Sequence, residues 1–269
     1  METGTDFLAR VADRRRRGIE AMKLDLPGWR LRERLRSPRP AGRLERALRR
    51  GSASDPIRLL CEIKRASPSQ GVLRADLDPA ELARAYERGG AAGISVVTEP
   101  EFFQGELPWI ERVRGATALP ILLKDFVVDD YQLLDAAVRG ADGVLLIAAL
   151  HSTVQLQIRV SAARLLGLDA LVEVHDRDEL KRAVEAGATL VGVNNRDLRT
   201  FAVDTGRALE LIPSVPPLVT AVAESGIGTA EALAALRRTR CDAALMGEVL
   251  MTSTDPAATL ATLAAAARG

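Results

Sequence analysis

Eight short apolar runs recur along the chain from residue 59 onward, and a helical pattern separates each run from the next. Parallel strands need crossover connections of about this length, and eight strand–helix units close most naturally into a barrel. The expected fold class is therefore α/β, a (β/α)8 barrel. The runs are LLCEIK (59–64), GISVVTE (93–99), ILLKDF (121–126), GVLLIAAL (143–150), DALVEVH (169–175), LVGVNN (190–195), LVTAVAES (218–225) and AALMGEVL (243–250).

The stretches between the runs carry helix start and stop signals. DPAELARAYERGG (78–90) and DRDELKRAVEAGA (176–188) each open with an aspartate at a plausible N-cap and have a glycine near the end. A doubly wound open sheet is the alternative architecture. No GxGxxG motif follows the first run, which argues against the dinucleotide-binding form of such a sheet.

The first 50 residues precede the repeat and look helical, as in FLARVADRRRRGIEAM and RLERALRRG. We expect residues 1–50 to form a helical extension packed on the barrel, and residues 51–269 to form a single catalytic domain. The extension has 15 Arg and Lys residues against 7 Asp and Glu. Such a charge could serve nucleic-acid binding. Because Phe7 and Trp29 are its only aromatic residues, a solvated helical extension is the better interpretation, and no nucleic-acid partner is expected.

The sequence gives no sign of a disulfide, a metal site or a membrane segment. Cys61 and Cys241 lie far apart in apolar surroundings and are expected to be small buried hydrophobic residues rather than a disulfide. His151 and His175 are the two histidines, and neither belongs to a metal-binding motif, so no metal is expected. No apolar run is long enough for a membrane span or a secretory signal, which predicts a cytoplasmic protein without a membrane partner.

Ionisable residues stand late in several of the predicted strands. Alternate residues of a strand share a face, so Glu62 and Lys64 lie on the same side. Inward side chains near the carboxyl ends of barrel strands line the active site. A ring of structural salt bridges is the alternative, but a mixture of Lys, Glu, Asn and Arg suits acid–base chemistry on an anionic substrate. The other inward sets are Leu122, Lys124 and Phe126; Leu171, Glu173 and His175; and Gly192, Asn194 and Arg196.

Glycines follow the last two strands, in ESGIG (224–228) and MGEVL (246–250). A glycine lets backbone N–H groups approach an anion closely, and a following helix N-terminus adds its dipole. Either segment alone could be a tight turn. Because the loops after strands 7 and 8 are a recurrent phosphate site in barrels, the two together favour phosphate binding.

The chain closely resembles the indole-3-glycerol phosphate synthase family of tryptophan biosynthesis. The resemblance runs from about residue 59 to 251 in family order. It implies a cofactor-independent ring closure, decarboxylation and dehydration of a carboxyphenylamino-deoxyribulose phosphate, so a small phosphosugar–anthranilate substrate is expected. The matching phrases are CEIKRASPSQG, ISVVTEPEFFQG, ILLKDFVVDDYQ, GADGVLLIAAL, LVEVHDRDEL, VGVNNRDLRTF, AESGI and ALMGEVLM.

The resemblance also implies roles for individual residues. Lys124 would protonate or polarise the ketone oxygen, and Glu173 would assist the proton transfers of dehydration. Lys64 would be an anchor or an alternative acid, with Glu62 tuning it. The N-terminal helices would lie over the catalytic end of the barrel. The implied substrate-binding residues are Ser67, Pro68, Phe103, Phe126, Asn194, Arg196, Leu198 and Glu224, and the implied phosphate-binding residues are Ser225, Gly226, Gly247 and Glu248.

Three positions depart from the family pattern. Leu123 stands where arginine is frequent, and its parity points it outward. GELPWI replaces a serine-containing continuation after FQG. Glu248 stands where some members have serine, so only its backbone N–H suits a phosphate. Phosphoribosylanthranilate isomerase and a non-catalytic phosphosugar-binding barrel are the alternative functions, and a monomer is expected, with a dimer as the alternative.

Overall fold

Eight parallel strands close into a barrel in which each strand pairs with the next along the chain and the last pairs with the first. The structure is a computed structural model that describes residues 4–35 and 40–268, with the backbone alone at residues 4–6. The barrel prediction is confirmed, and the open-sheet alternative is wrong. The strands are β1 Arg58–Ile63, β2 Gly93–Val97, β3 Ile121–Lys124, β4 Gly143–Ile147, β5 Asp169–Val174, β6 Leu190–Asn194, β7 Thr220–Glu224 and β8 Ala243–Met246.

Helices precede the barrel and connect its strands. In the described part of the extension, three come before β1, and the others follow the strands in turn. Within the described ranges, no helix has both the length and the apolar character that a bilayer crossing needs. The helices are α1 Gly4–Asp25, α2 Gly28–Glu33, α3 Arg43–Leu48, α4 Pro79–Gly89, α5 Trp109–Ala116, α6 Asp130–Arg139, α7 Thr153–Leu165, α8 Arg177–Glu185, α9 Gly206–Leu211, α10 Ala230–Arg237, α11 Glu248–Met251 and α12 Pro256–Ala266.

The predicted helix signals act as expected. Asp78 Oδ1 accepts hydrogen bonds from the backbone N–H groups of Ala80 and Glu81, at 2.8 and 3.2 Å, and so caps α4. At the other end of α4, Gly90 has a φ of +90°, the left-handed conformation that suits glycine. Asp176 caps α8 in the same way, by accepting from Glu179 N–H.

Most of the predicted strands are too long at their carboxyl ends. GVLLIAAL was expected to be one strand, but β4 ends at Ile147 and a 3₁₀ turn occupies Ala148–Leu150. AALMGEVL likewise divides into β8 and the first turn of α11. These two predictions were wrong because apolar residues continue beyond each strand, where Ala148 and Leu250 are fully buried although their backbone is no longer extended.

Two layers of apolar side chains hold the barrel together. The inner layer fills the barrel, with Leu60, Leu122, Leu171 and Leu245 at alternate strand positions. The outer layer lies between strands and helices and includes Leu123, as its parity predicted. Cys61 and Cys241 also lie in the outer layer as buried free thiols, which confirms that prediction.

Residues 42–50, here called the lower plug, close the amino-terminal end of the barrel. Leu44 is fully buried, with its methyl groups against the strand starts at Gly93 and Gly143. Asp169 accepts hydrogen bonds from the backbone N–H groups of Gly42 and Glu45. The resemblance placed the N-terminal helices at the catalytic end. For α3 this is wrong, because its apolar face fills the opposite opening of the barrel.

Helix α1 does lie at the carboxyl end of the strands. Arg15 forms a bidentate ion pair with Asp125, with N–O distances of 2.9 and 2.8 Å, and both side chains are buried. The ring of Phe7 packs edge-on against Phe102 and Phe201, with centroids 5.2 and 4.8 Å away. The proposed extension therefore contacts both ends of the barrel. Its residues 1–3 and 36–39, and Gly269 of the proposed catalytic domain, lie outside the described residues.

Candidate active site

A cavity of about 400 Å³ opens at the carboxyl ends of the strands. Thirteen of the sixteen predicted site residues line it, while Ser67, Pro68 and Glu224 do not. The parity of the strands accounts for this placement, because the residue that ends each strand on the inward face projects into the same opening. The lining residues that the sequence indicated are Glu62, Lys64, Phe103, Lys124, Phe126, Glu173, Asn194, Arg196, Leu198, Ser225, Gly226, Gly247 and Glu248.

Lys124, at the end of β3, lies between two buried carboxylates. Its Nζ is 2.5 Å from Glu224 Oε2 and 3.7 Å from Glu173 Oε2. Burial alone would lower the pKa of Lys124, but the charges of Glu224, Glu173 and Glu62 outweigh it and raise that pKa. The amine is therefore an ammonium. Burial raises the pKa of Glu224 to about 7, against the opposing effect of Lys124.

Glu62 and Lys64 form a second ion pair on the same floor, with Nζ 2.6 Å from Glu62 Oε1. Burial of Glu62 opposes its ionisation, yet the neighbouring Lys64 and Lys124 hold its pKa below the ordinary value. Two ammonium groups and three carboxylates thus share one end of the barrel, in an arrangement that can move protons around an anionic ligand.

Two glycines make room for these carboxylates. A Cβ atom on Gly192 would lie 1.9 Å from Glu224 Oε1, and one on Gly247 would lie 2.6 Å from Glu62 Oε1. Real Cβ atoms do not approach other atoms so closely. The sequence pointed to Gly247 only as a phosphate-binding residue. It missed the second role because the contact depends on Glu62, which is far away in the sequence.

The loop after β7 turns sharply at the cavity wall. Ser225 and Gly226 have φ values of +63° and +71°, both in the left-handed region. A Cβ atom on Gly226 would also lie 2.6 Å from Val203 Cγ1. Beside this loop, Glu248 at the start of α11 accepts a hydrogen bond of 2.6 Å from Gln70 Nε2, so its carboxylate is held toward the first loop.

The first loop forms a short hairpin, Ala66–Ser67 paired with Gly71–Val72. Pro68 is exposed and Ser67 is half-buried, and neither reaches the cavity wall in this structure. Arg196 Nη1 lies 3.3 Å from Ser69 Oγ and so connects this hairpin to the loop after β6. Substrate contact by Ser67 and Pro68 stays a prediction.

The loop after β2 is organised by Glu99, which the sequence analysis missed. Its carboxylate accepts hydrogen bonds from the backbone N–H groups of Glu101, Phe102 and Phe103, at 3.0, 2.7 and 2.9 Å. Burial raises the pKa of Glu99 against these bonds. The signal was present, because an acidic residue ended the apolar run GISVVTE. The Phe103 ring then lies 6.2 Å from that of Phe126.

The structure also shows the contacts of GELPWI, the segment that departs from the family pattern. Glu106 Oε1 lies 3.0 Å from Arg65 Nη1, and the same guanidinium is 4.8 Å from the centre of the Trp109 ring. These contacts join the loops after β1 and β2. Asp125, a second lining residue that was not predicted, accepts from Thr98 as well as from Arg15. In the described residues, no group of three or more His, Cys, Asp or Glu side chains could hold a metal ion.

Comparison with known structures supports the fold. KGPDC from Streptococcus mutans is similar with a TM-score of 0.61 and 14% identity, covering 79% of this chain and 98% of that one. Thiamine phosphate pyrophosphorylase from Pyrococcus furiosus gives a TM-score of 0.60 at 17% identity, over 80% of this chain and 98% of that one. At such identities the likeness concerns the fold alone.

Sequence comparisons go further. The family model for indole-3-glycerol phosphate synthase matches residues 8–263. The synthase of Chlorobium phaeovibrioides is 43% identical over 250 residues, 93% of this chain and 96% of its own length. That of Carboxydothermus hydrogenoformans is 42% identical over 263 residues, 96% of this chain and 100% of its own. The chain therefore belongs to the indole-3-glycerol phosphate synthase family.

Proposed function

We propose that Lys124 and Glu173 are the acid–base pair with which this chain performs its family's reaction. The chain is a carbon–carbon lyase of tryptophan biosynthesis that acts on a small phosphosugar. It converts 1-(2-carboxyphenylamino)-1-deoxyribulose 5-phosphate to indole-3-glycerol phosphate by ring closure, decarboxylation and dehydration. The observation that carries the assignment of residues is the position of the Lys124 ammonium, between two carboxylates on the floor of the cavity.

Ring closure needs a cation at the ketone oxygen, because negative charge develops there as a ring carbon attacks the carbonyl carbon. Lys124 supports this role because its raised pKa keeps the amine charged, so that a positive charge is present to stabilise the developing oxyanion. Glu224 accepts from Lys124 at 2.5 Å and lies outside the cavity lining. We therefore assign Glu224 to holding Lys124, rather than to touching the substrate.

Dehydration needs a group that takes a proton from the new ring and a donor for the leaving hydroxyl. Glu173 lines the cavity and has one oxygen near Lys124. We assign the proton transfers of this step to Glu173. Lys64 lies across the floor, paired with Glu62, and serves as an anchor for the substrate carboxylate or as an alternative acid.

The cavity has an apolar wall and a polar wall, which suit the aromatic end and the phosphate end of the substrate. Phe103, Phe126 and Leu198 supply apolar surface for the aromatic part. Asn194 and Arg196 would hold its polar groups. The phosphate would bind backbone N–H groups of the two glycine-containing loops, supported by the N-terminus of α10. The loop residues assigned to the phosphate are Ser225, Gly226, Gly247 and Glu248.

No cofactor or metal is proposed, since the steps are proton transfers, carbon–carbon bond changes and the loss of a hydroxyl group as water, all of which ammonium and carboxylate groups can assist. We also propose a monomer in the cytoplasm without a nucleic-acid partner. The contacts of the basic residues in the extension support the absence of a nucleic-acid partner. Arg15, Arg43 and Arg50 bind Asp125, Asp142 and the Cys241 carbonyl oxygen, so these guanidinium groups have partners within the protein.

The decisive experiment offers the purified chain its substrate without added metal or nucleotide and follows indole fluorescence and CO2 release. Turnover is expected. Binding without turnover would instead support the non-catalytic barrel. Light scattering on the same sample measures the oligomeric state, and a salt titration with DNA or RNA measures any binding by the extension.

A further inference from the structure

His175 lies between Glu173, which lines the site cavity, and a second cavity. It follows β5 directly, two residues after Glu173, and 15% of its side chain is exposed. Glu173 lines the first cavity. His175 lines the second, a space of about 720 Å³ beneath α1, whose other lining residues include Arg16, Asp176 and Glu179.

Glu179 holds the imidazole ring of His175 on one side, and the other side of the ring faces Glu173. Glu179 Oε2 accepts from the backbone N–H of His175 at 2.8 Å and lies 3.2 Å from Nδ1. On the far side of the ring, Nε2 lies 3.5 Å from Glu173 Oε1. These last two atoms are both buried, and in the described structure neither has a hydrogen-bond partner. A movement of a few tenths of an ångström would join them.

The charges around the ring favour an imidazolium. Burial lowers the pKa of His175, but the hydrogen bond to Glu179 and the charges of Glu173 and Glu179 outweigh burial and raise it. Arg207 of α9 acts in the opposite direction. The remaining charged groups that line the second cavity come from α1, from the start of the loop before α8 and from the loop after β6: Arg16, Asp176, Asp197 and Arg199.

The reaction itself calls for a proton. A substrate carboxylate leaves as neutral CO2 and a ketone oxygen leaves as water, so each turnover consumes one proton. If Lys124 donates that proton, it must be recharged before the next ring closure. Its neighbours are carboxylates, and one of them, Glu173, faces His175.

We propose that His175 passes a proton to Glu173, and that Lys124 regains its proton from Glu173. His175 thus acts through Glu173, as a positioning residue that does not touch the substrate. The inference rests on the roles proposed above for Lys124 and Glu173. The N–H bond at Nε2 breaks and leaves its electron pair on nitrogen, while an O–H bond forms on Glu173. The carboxyl group then gives a proton to the neutral amine of Lys124. Imidazolium and amine thus become imidazole and ammonium, and a proton from solvent restores the imidazolium.

Two substitutions at His175 separate proton transfer from support. His175→Gln can place an amide N–H near the position of Nε2, which keeps a hydrogen bond to Glu173 but cannot transfer a proton. His175→Asn can donate to Glu179 but cannot reach Glu173. Both variants are expected to keep the first-turnover rate within about twofold, because Lys124 starts charged, and to lose about tenfold or more in steady-state kcat. KM should change little.

A third variant leaves the histidine in place. Glu179→Gln removes the carboxylate that raises the pKa of His175, so the decline of steady-state kcat with rising pH should begin at lower pH. Glu185→Gln, on the same helix but exposed, is the matched control and should leave the pH profile unchanged. This comparison tests the proposal even if a substitution at His175 impairs folding.

The outcomes separate this inference from the proposed function. Equal losses in the first turnover and in steady state would show that His175 is only structural, and unchanged rates would show that it is not needed; either result overturns the inference. If Glu173→Gln is inactive while the His175 variants are normal, the inference alone fails. If Glu173→Gln is fully active, the proposed function of Glu173 fails first.

Discussion

The carboxylate of Glu224 occupies the space in front of Gly192 on the neighbouring strand. A Cβ atom at Gly192 would be 1.9 Å from Glu224 Oε1, while Oε2 of the same carboxylate is 2.5 Å from Lys124 Nζ. The missing side chain at one residue therefore fixes the position of an ammonium group on another strand.

Gly192→Ala is expected to push Glu224 out of its place and to displace Lys124. A misplacement of about 1 Å can cost about 10²-fold in rate, so kcat should fall by roughly that factor. Gly115→Ala is the control, because Gly115 is exposed in α5 and a Cβ atom there would meet no other atom within 4 Å. That variant should keep its activity and gain about 0.5–1 kcal/mol of stability. Steady-state kinetics and urea unfolding measure both, and normal kcat in Gly192→Ala would contradict the prediction.

Lys124→Met and Glu173→Gln should stop the reaction at different steps. Without the ammonium, ring closure fails, so CO2 release and indole formation should be lost together. Without the Glu173 carboxylate, the ring should still close slowly, and CO2 should appear before indole. General acid–base groups contribute about 10²- to 10⁴-fold, so both defects should be large. Single-turnover measurement of CO2 and indole decides the matter, and identical blocks at one step would refute this division of roles.

Stability should fall in mild acid because of His151. Burial and the nearby Arg159 lower the pKa of His151 to about 4, whereas the unfolded residue titrates near its ordinary value of 6.5. As the pH falls from 6.5 to 4, the unfolded state binds a proton that the folded state does not. The free energy of unfolding should therefore decrease by up to about 1.4 kcal/mol per pH unit from this residue. In urea unfolding at several pH values, the free energy of unfolding of His151→Gln should fall less steeply with decreasing pH than that of the unsubstituted protein. Equal pH dependence would show that His151 is not the cause.

Two arginines of α1 should differ strongly in their contribution to stability. Arg15→Met leaves the Asp125 carboxylate buried without its guanidinium partner, which should cost about 3–5 kcal/mol. Arg17 is the matched control, since its pair with Asp13 is on the surface, with 71% of the Arg17 side chain exposed. Arg17→Met should change stability by no more than about 1 kcal/mol. Thermal or urea unfolding compares them, and similar losses would show that the buried pair has no special role.

The strand pattern alone was enough to predict the floor of the site. Alternation by two placed Lys124 and Glu173 on the inward face, and the eightfold repeat brought their strand ends together. The loops were less predictable. The acidic residue Glu99 was visible at the end of its apolar run, but its partners are backbone N–H groups, which no residue type reveals. Gly192 matters only because Glu224 lies opposite it. The first contact depends on how the loop backbone turns, and the second depends on the register between β6 and β7.

The position of α3 could not be predicted for a related reason. RLERALRRG is amphipathic and would suit either end of the barrel. What selects the lower end is a set of aspartates at or next to the starts of distant strands, Asp142, Asp169 and Asp242, which accept from Arg43, Gly42 and Arg50 of the lower plug. The sequence around each aspartate does not indicate that it accepts a hydrogen bond from the lower plug.

The lower plug also has a consequence for the order of folding. Arg50 donates its backbone N–H to Asp242 Oδ1 at 3.1 Å, across a separation of 192 residues. On a ribosome, the plug is made before the barrel, but this acceptor emerges only after seven of the eight barrel strands have been synthesised. Until then, the apolar face of α3 has an incomplete binding surface. Final closure of the barrel and seating of its earliest segments should therefore be a late, joint event after synthesis, a stage at which a chaperone could act on the exposed leucines.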